Sequence, residues 1–221
     1  NITGNAISFF LIRQGKKVYQ FGFGQSPFPV PEKIVTTLKN HAHRKEYLPI
    51  QGLPELRNAI SNYLEKRTGN SYPKENILIT PGSKEAMLLM HIAFKGEIII
   101  PAPGWVSYEP QAQIGLNKIH WLETSRANNW FPTAEELEKI IKKIGKKKNL
   151  IFILNSPNNP SGAVCKNLKE LADVAKKYKL IVLSDEIYTD LTFEQNYNSI
   201  SQYYPNLTFI TGGLSKWCGA G

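Results

Sequence analysis

Short apolar runs alternate along the chain with segments whose apolar residues recur every three or four positions. The runs have strand length and are rich in β-branched residues, so each predicts a β-strand; they span 76–80, 97–100, 118–122, 150–154, 180–184 and 207–211. The recurring segments predict helices, because they place their apolar residues on one stripe. Two of these helices span 53–66 and 135–144, and a third carries Leu168, Leu171, Val174 and Ala175. Helices that alternate with nearly continuous apolar strands predict a three-layer α/β/α fold around a mostly parallel sheet.

The beginning of the chain follows a different pattern. Residues 22–31 are rich in glycine and proline and cannot form a regular helix. We expect them to wrap the domain as an extended N-terminal arm. A helix is predicted to start near Pro31 and Glu32, because proline is favourable in the first helical turn.

Composition narrows the class of protein without changing this fold. The chain has 221 residues, of which 42% are hydrophobic and 20% charged, as in an ordinary soluble globular protein. Cys165 and Cys218 are too few for a disulfide framework, and no apolar run reaches the roughly 18 residues that span a membrane. We therefore expect a cytoplasmic protein with no membrane partner. Asn1 and Gly221 do not resemble natural termini, so we also expect a piece of a longer chain.

The net charge of +9 comes from 27 Lys and Arg against 18 Asp and Glu. The densest basic stretch, at 142–148, follows an amphipathic helix pattern, so it is interpreted as a solvated helix end, where cations complement the dipole. A nucleic-acid surface is the alternative, but no nucleic-acid motif and no interleaved aromatic residues accompany it. We predict no nucleic-acid partner.

In a parallel sheet ligands bind beyond the carboxyl ends of the strands, so the loops there are the candidate sites. After the run 76–80, Gly82 lets the backbone approach a ligand, and a helix starting at Ser83 and Lys84 presents free N–H groups to an anion such as phosphate. A plain turn with a serine cap is the alternative. After the run 97–100, two prolines leave Trp105 in a loop, where its flat face suits a planar ligand. A core or interdomain tryptophan is an equally good interpretation.

Three further loops carry polar side chains. Asn159 lies in the segment 155–162, whose amides either hydrogen-bond a ligand or close Asx turns. Asp185 ends a strand, where it can hold a cation or a protonated ring nitrogen beside the phenol of Tyr188, unless it caps a helix. Lys216 follows two glycines at a strand end, where desolvation would leave a neutral amine that attacks a carbonyl. Its alternative is a solvated surface lysine.

Together these loops offer a phosphate cradle, an aromatic plate, amide donors, an aspartate–tyrosine pair and a lysine. Pyridoxal 5'-phosphate presents the matching groups: a phosphate, a flat ring, a phenolic oxygen, a pyridine nitrogen and an aldehyde. We therefore predict this cofactor and no metal.

At these residues the chain resembles the class I/II aminotransferases, which belong to the fold-type I pyridoxal-phosphate enzymes. The segment 47–57 is similar to the family signature Tyr-x-Pro-x-x-Gly-x-x-x-Leu-Arg, with Tyr47 first and Arg57 last. The segments 159–162, 185–188 and 215–216 are similar to its cofactor-site motifs, in the family's order. The resemblance covers nearly all of the chain and implies an amino-group transfer between an amino acid and a 2-oxo acid.

The resemblance also implies roles for single residues. Lys216, which follows Ser215 of the same cofactor motif, would form the Schiff base and then shuttle the substrate proton. Asp185 would keep the pyridine nitrogen protonated, and Tyr188 and Asn159 would hydrogen-bond the phenolic oxygen.

Further roles concern the rest of the cofactor and the substrate. Trp105 would stack on the ring, and the phosphate would lie on three residues of one loop, Gly82, Ser83 and Lys84. Gly24 would lie by the substrate carboxylate, next to Trp105 and Asn159. Tyr47 would reach the phosphate of the neighbouring subunit, which implies a homodimer with shared sites.

The resemblance divides the chain into residues 1–45, the arm with part of a small domain, and residues 46–221, the cofactor-binding large domain. Gly213 stands where many family members have a phosphate-binding serine. A C-terminal small domain, with the arginine that binds the substrate carboxylate, is expected beyond this chain. A lyase on the same fold remains an alternative function, as does an aminotransferase-like regulatory domain.

Overall fold

A computed structural model describes residues 4–19, 24, 26–145, 149–193 and 198–220, with the backbone alone for residues 4–8. The helices are α1 Gly4–Arg13, α2 Glu32–His41, α3 Pro54–Thr68, α4 Ser83–Ala93, α5 Tyr108–Ile114, α6 Ala134–Ile144 and α7 Leu168–Tyr178. The strands are β1 Glu97–Ala102, β2 Lys118–Glu123, β3 Leu150–Asn155, β4 Ile181–Asp185 and β5 Thr208–Thr211.

The five strands form one sheet in the order β2-β1-β3-β4-β5. Every pair in it is parallel, so the predicted parallel sheet is confirmed. The chain leaves β1 in one direction to β2 and returns on the other side of β1 to β3. Such a reversal of strand order opens a crevice at the carboxyl edge of the sheet.

Both faces of the sheet are covered, which confirms the three-layer architecture. On one face Ile99 packs in a cluster with residues of α6 and α7, among them Leu137 and Leu171. On the other face Ile98 and Ile100 pack with Met87 of α4 and with residues of α5. Alternate residues of β1 thus enter opposite cores, as the period of a strand requires, and β3 is buried along all six of its residues.

The predicted helices lie close to where the apolar stripes put them. The segment 53–66 is α3, the segment 135–144 is α6, and the third stripe is α7. Thr133 caps α6: its hydroxyl accepts from the Glu136 N–H and the Glu136 carboxylate accepts from the Thr133 N–H. The helix expected near Pro31 begins at Glu32, with Pro31 as its N-cap.

The predicted strand at 76–80 is wrong. Lys74–Asn76 forms a 3₁₀ turn, and residues 77–80 pair with no strand among the described residues. The backbone N–H of Ile79 instead donates to the carbonyl of Gln51 at 3.0 Å. β-branched residues favour an extended backbone, but a strand also needs a neighbour to complete its ladder.

Two helices were not predicted: α1, in the region assigned to the arm, and the short α5 after Trp105. Residues 22, 23 and 25 of the predicted arm and residues 146–148 of the basic stretch lie outside the described residues. Residues 26–31 contain no helix. No described helix combines the length and the apolar character that crossing a membrane requires.

Candidate active site

Asp185 lies at the centre of the carboxyl edge. It ends β4, where it is in register with Asn155 on β3 and with Thr211 on β5. Its side chain is 3% exposed; its two oxygens accept hydrogen bonds from the Tyr108 hydroxyl at 2.7 Å and the Thr211 hydroxyl at 3.2 Å. Burial raises the pKa of Asp185 above its ordinary value, against the opposing effect of these donors and of the Lys216 charge. The next helical element, the 3₁₀ turn Thr189–Leu191, has Tyr188 as its N-cap, so Asp185 does not cap a helix.

Tyr108 is a site residue that the sequence reasoning missed. It is fully buried, and burial followed by the charge of Asp185 raises the pKa of its hydroxyl well above the ordinary value. The available signal was its position three residues after Trp105, since a tyrosine with a polar tip that enters a core needs a partner. Nothing near it in the sequence identifies that partner as Asp185, which is 77 positions away.

Asn155 and Asn158 build the loop after β3. Asn155 donates from its amide to the Asp185 carbonyl at 2.9 Å and accepts from the Asn159 N–H at 2.7 Å. Asn158 accepts from both the N–H and the hydroxyl of Ser161, so the Asx-turn interpretation is right for this residue. The amide of Asn159 is not consumed in the turn.

Asn159, Tyr188, Lys216 and Gly24 converge on one place. The Asn159 amide donates to the Tyr188 hydroxyl at 3.2 Å. The ammonium nitrogen of Lys216 lies 5.7 Å from the centre of the Tyr188 ring and donates to the Gly24 carbonyl at 3.4 Å. Lys216 is half-buried, as is Ser215 before it.

The start of α4 has the features expected of an anion site. Gly82 precedes the helix at φ +85°, in the left-handed region, and a Cβ added there would meet nothing within 4 Å. No side chain caps the helix, so the serine-cap interpretation is wrong. The first N–H groups of a helix have no partner within it, and here those of Ser83 and Lys84 are among them.

Trp105 joins the helix start to the core. Its ring packs edge-on against Tyr108, with centroids 5.4 Å apart and planes at 83°. The ammonium of Lys84 lies 5.1 Å from its ring centre. The indole is only half-buried and packs against the rim of the core that contains Tyr108.

The signature at 47–57 begins with an exposed residue and ends with residues that pack and form hydrogen bonds within the protein. Tyr47 is fully exposed. Gly52 has φ +95°, and a Cβ there would lie 2.5 Å from the Cβ of Ile79. Arg57 is buried and donates to the Gly52 carbonyl, the Gln51 side chain and the Lys74 carbonyl. The glycine and the arginine thus hold this turn against the segment that leads to Gly82.

The donor set at this edge fits pyridoxal phosphate. Burial raises the pKa of Asp185, and a nearby positive charge lowers it. A cation beside the carboxylate, such as a protonated ring nitrogen, would therefore stabilise its ionised form. The Asn159–Tyr188 pair, the Lys216 amine and the uncapped start of α4 supply the remaining complements. The fold is a three-layer α/β scaffold whose carboxyl edge carries groups that complement this cofactor.

Comparison with known proteins identifies the family. The sequence model described as "Aminotransferase class I and II" matches residues 16–220. The chain is 31% identical to the aspartate aminotransferase of Thermotoga maritima, over 91% of this chain and 55% of that protein. It is 33% identical to aromatic-amino-acid aminotransferase 2 of Thermococcus litoralis, over 87% of this chain and 51% of that protein.

A crystal structure of the aspartate aminotransferase from Rhizobium meliloti superimposes with a TM-score of 0.90 at 27% identity, covering 98% of this chain and 56% of that one. The chain belongs to the aminotransferase class I and II family, which confirms the resemblance and implies pyridoxal phosphate as the cofactor. It spans about half the length of the curated relatives it matches.

Proposed function

We propose that this chain forms the cofactor-binding part of an aminotransferase, which exchanges an amino group between an L-amino acid and a 2-oxo acid. The observation that carries the proposal is the cluster at the carboxyl edge. There a buried Asp185 with two hydroxyl donors lies in register between the loops that bear Asn159 and Lys216. Family membership supports the same reaction.

Each residue of the cluster has a defined task in this proposal. Pyridoxal phosphate, when bound, withdraws the electrons that remain when the substrate loses its α-proton. Lys216 would hold the cofactor by its aldehyde carbon until the substrate amine displaces it, and the freed Lys216 amine would then move the α-proton. Asp185 holds a proton on the ring nitrogen, since an ionised carboxylate favours the adjacent cation. Tyr188 and Asn159 donate hydrogen bonds to the phenolic oxygen.

The remaining site residues orient the cofactor and the substrate. In the proposal Trp105 covers the ring, and the phosphate lies on the loop of Gly82, Ser83 and Lys84. It is bound there by the N–H groups of Ser83 and Lys84, because a helix N-terminus favours an anion, whereas the Gly82 N–H donates to the Thr80 carbonyl at 2.7 Å. Ser215 adds a hydroxyl beside Lys216. The carbonyl of Gly24 lies against the Lys216 ammonium, so the proposed substrate carboxylate enters beside the arm, next to Trp105 and Asn159.

The proposed active form is a homodimer. Tyr47 and Ile50, on the loop before α3, are fully exposed in the single chain. Large apolar side chains exposed close together often mark a protein–protein interface. In the dimer Tyr47 reaches the phosphate site of the partner subunit. We propose the cytoplasm as the compartment, which agrees with two free and buried cysteines, Cys165 and Cys218.

The reaction is tested on the full-length protein with pyridoxal phosphate, a panel of L-amino acids and 2-oxoglutarate. Formation of glutamate together with the 2-oxo acid of the donor supports the proposal. Pyruvate and ammonia without a new amino acid would instead identify a lyase.

The role of Lys216 is tested in the same preparation. Borohydride reduction and peptide mass spectrometry should place the cofactor mass on the peptide that contains Lys216. Lys216→Ala should abolish turnover and retain some cofactor binding. Lys169→Ala, an exposed change on α7, should leave both unchanged. Turnover by the Lys216 variant at the wild-type rate would contradict the assignment.

A further inference from the structure

Glu186 follows Asp185 directly, and the two buried carboxylates are held from opposite faces of the sheet. Asp185 is bound by Tyr108, which belongs to the core under α4 and α5. Glu186 is 6% exposed and accepts from the Ser184 hydroxyl at 2.7 Å and the Ser199 hydroxyl at 2.6 Å. Ser199 is followed by Ile200, which belongs to the core under α6 and α7. The peptide between the two carboxylates is thus fixed from both sides.

The contact to Ser199 continues as a chain of hydroxyl groups with one direction. Ser199 donates its single hydrogen to Glu186, so the 2.7 Å contact between Ser199 and Ser201 must have Ser201 as the donor. Ser201 in turn accepts from the Tyr72 hydroxyl at 2.8 Å. Tyr72 is half-buried, so the chain runs inward from the segment after α3 to the buried carboxylate.

The other end of the same turn is held by α3 itself. Asp190 lies two residues after Tyr188 and forms an ion pair with Arg67. The Tyr63 hydroxyl donates to the same carboxylate at 3.0 Å, and Arg67 donates to the Tyr63 hydroxyl at 2.7 Å. The turn that presents Tyr188 is therefore tied to α3 and the residues after it at both its beginning and its end.

We propose that Glu186, held by Ser199, is a positioning residue that fixes the turn after Asp185 and thereby orients Tyr188 for the cofactor. This inference rests on the proposed function, because the turn between Asp185 and Asp190 presents Tyr188 to the cofactor only if the protein binds one. Glu186 acts through its neighbours: its carboxylate anchors the peptide after Asp185, and the Thr189 N–H and hydroxyl both bond to its carbonyl. Loss of the anchor leaves Asp185 in place on β4 and frees the turn that carries Tyr188.

Ser199→Ala is the main test, with Thr133→Ala as its matched control. Both hydroxyls cap a helix in a capping box, so both variants lose a cap, which contributes about 1 kcal/mol. Only Ser199 also donates to Glu186. Glu186→Gln is compared in the same way with Glu138→Gln, whose carboxylate on α6 accepts from Lys177 and Tyr178.

Three quantities are measured on the full-length protein. They are the dissociation constant for pyridoxal phosphate, the pH midpoint of the bound cofactor's visible absorption, and hydrogen exchange of the Thr189 and Leu191 amides in the cofactor-free protein. We expect Ser199→Ala to weaken cofactor binding about tenfold, to shift the absorption midpoint and to speed exchange at the turn. Thr133→Ala should lower the Tm by less, because it loses only the capping bond, and should change none of the three.

The possible failures are distinguishable. Equal cofactor affinity and equal exchange in the Ser199 and Thr133 variants would overturn the positioning role. A wild-type protein that binds no cofactor would overturn the proposed function, and the exchange measurement would still decide whether the anchor orders the turn. Tyr72→Phe, which removes only the outermost hydroxyl of the chain, should change exchange in the same direction by less; no change in that variant contradicts a continuous chain.

Discussion

Asp185→Asn should have opposite effects on the stability and on the activity of this protein. The change keeps the shape of the side chain and removes the charge. In the cofactor-free protein the carboxyl is almost fully buried, and burial raises its pKa above the ordinary value of 3.8. Because the folded state disfavours the ionised form, the stability of the wild-type protein should decline as the pH rises from 3.8 through the folded pKa. The asparagine variant lacks this decline.

The magnitude follows from the contacts of the carboxylate. Exchanging an ionised acceptor for a neutral one weakens the bond from Tyr108 by about 1 kcal/mol. Removing the buried charge recovers several kcal/mol of lost hydration, to order of magnitude. We therefore expect the free energy of unfolding of the cofactor-free variant at pH 7 to rise by roughly 1–3 kcal/mol. The activity should fall by at least about a hundredfold, or ~2.7 kcal/mol in barrier, because asparagine does not hold a proton on the ring nitrogen.

The assay combines denaturant unfolding of the cofactor-free protein between pH 4 and pH 8 with the rate of amino-group transfer at saturating cofactor. Asp173→Asn, an exposed change on α7, is the control and should alter neither. Transfer at the wild-type rate in the Asp185 variant would refute the role given to this residue. Parallel pH profiles of stability in the variant and the wild type would refute the argument from burial.

Two further changes test how the site is supported. Gly52→Ala should destabilise the protein by about 1–3 kcal/mol more than Gly69→Ala, because both positions have a positive φ but only the first brings the new Cβ against Ile79; equal losses in denaturant unfolding would exclude the clash. Burial lowers the pKa of His91 to about 4, so the unfolded chain takes up a proton that the folded protein refuses, and stability should fall by roughly 3 kcal/mol between pH 6.5 and pH 4. His91→Leu should flatten that fall, and an unchanged slope would show that another group is responsible.

The fold was predictable because its information is local. The stripe of Leu137, Ile141 and neighbouring residues identifies α6 from its own period, and the all-apolar run of β3 identifies a strand covered on both faces. The same logic failed at 76–80, where the composition favours an extended backbone and no described strand lies alongside to pair with it. A helix as short as α5 was missed because seven residues give too few turns for a period to be recognised.

The candidate site was predictable as a set of residues and unpredictable as a network. Motif spacing in the sequence brought out Asp185, Tyr188, Asn159 and Lys216, and parallel strands bring loops at strand ends to one edge. The partners that hold them, such as Tyr108, leave no local pattern. The residues next to Tyr108 in the sequence do not distinguish it from any other tyrosine that packs in a core.

By itself the sequence determined the parallel sheet with its longer helices, the family, and the loop side chains Asn159, Asp185, Tyr188 and Lys216 at the carboxyl edge. It did so because the periods of helices and strands and the motifs of the loops are each written within a few consecutive residues. Only the tertiary structure decided which hydroxyls face Asp185 and Glu186, and that the turn between them and Asp190 is tied to α3. Three of these links, Tyr108 to Asp185, Tyr63 to Asp190 and Tyr72 to Ser201, join residues 77, 127 and 129 positions apart. Contacts at such separations depend on how the layers pack, because each hydroxyl finds its acceptor only when both cores have closed around the sheet.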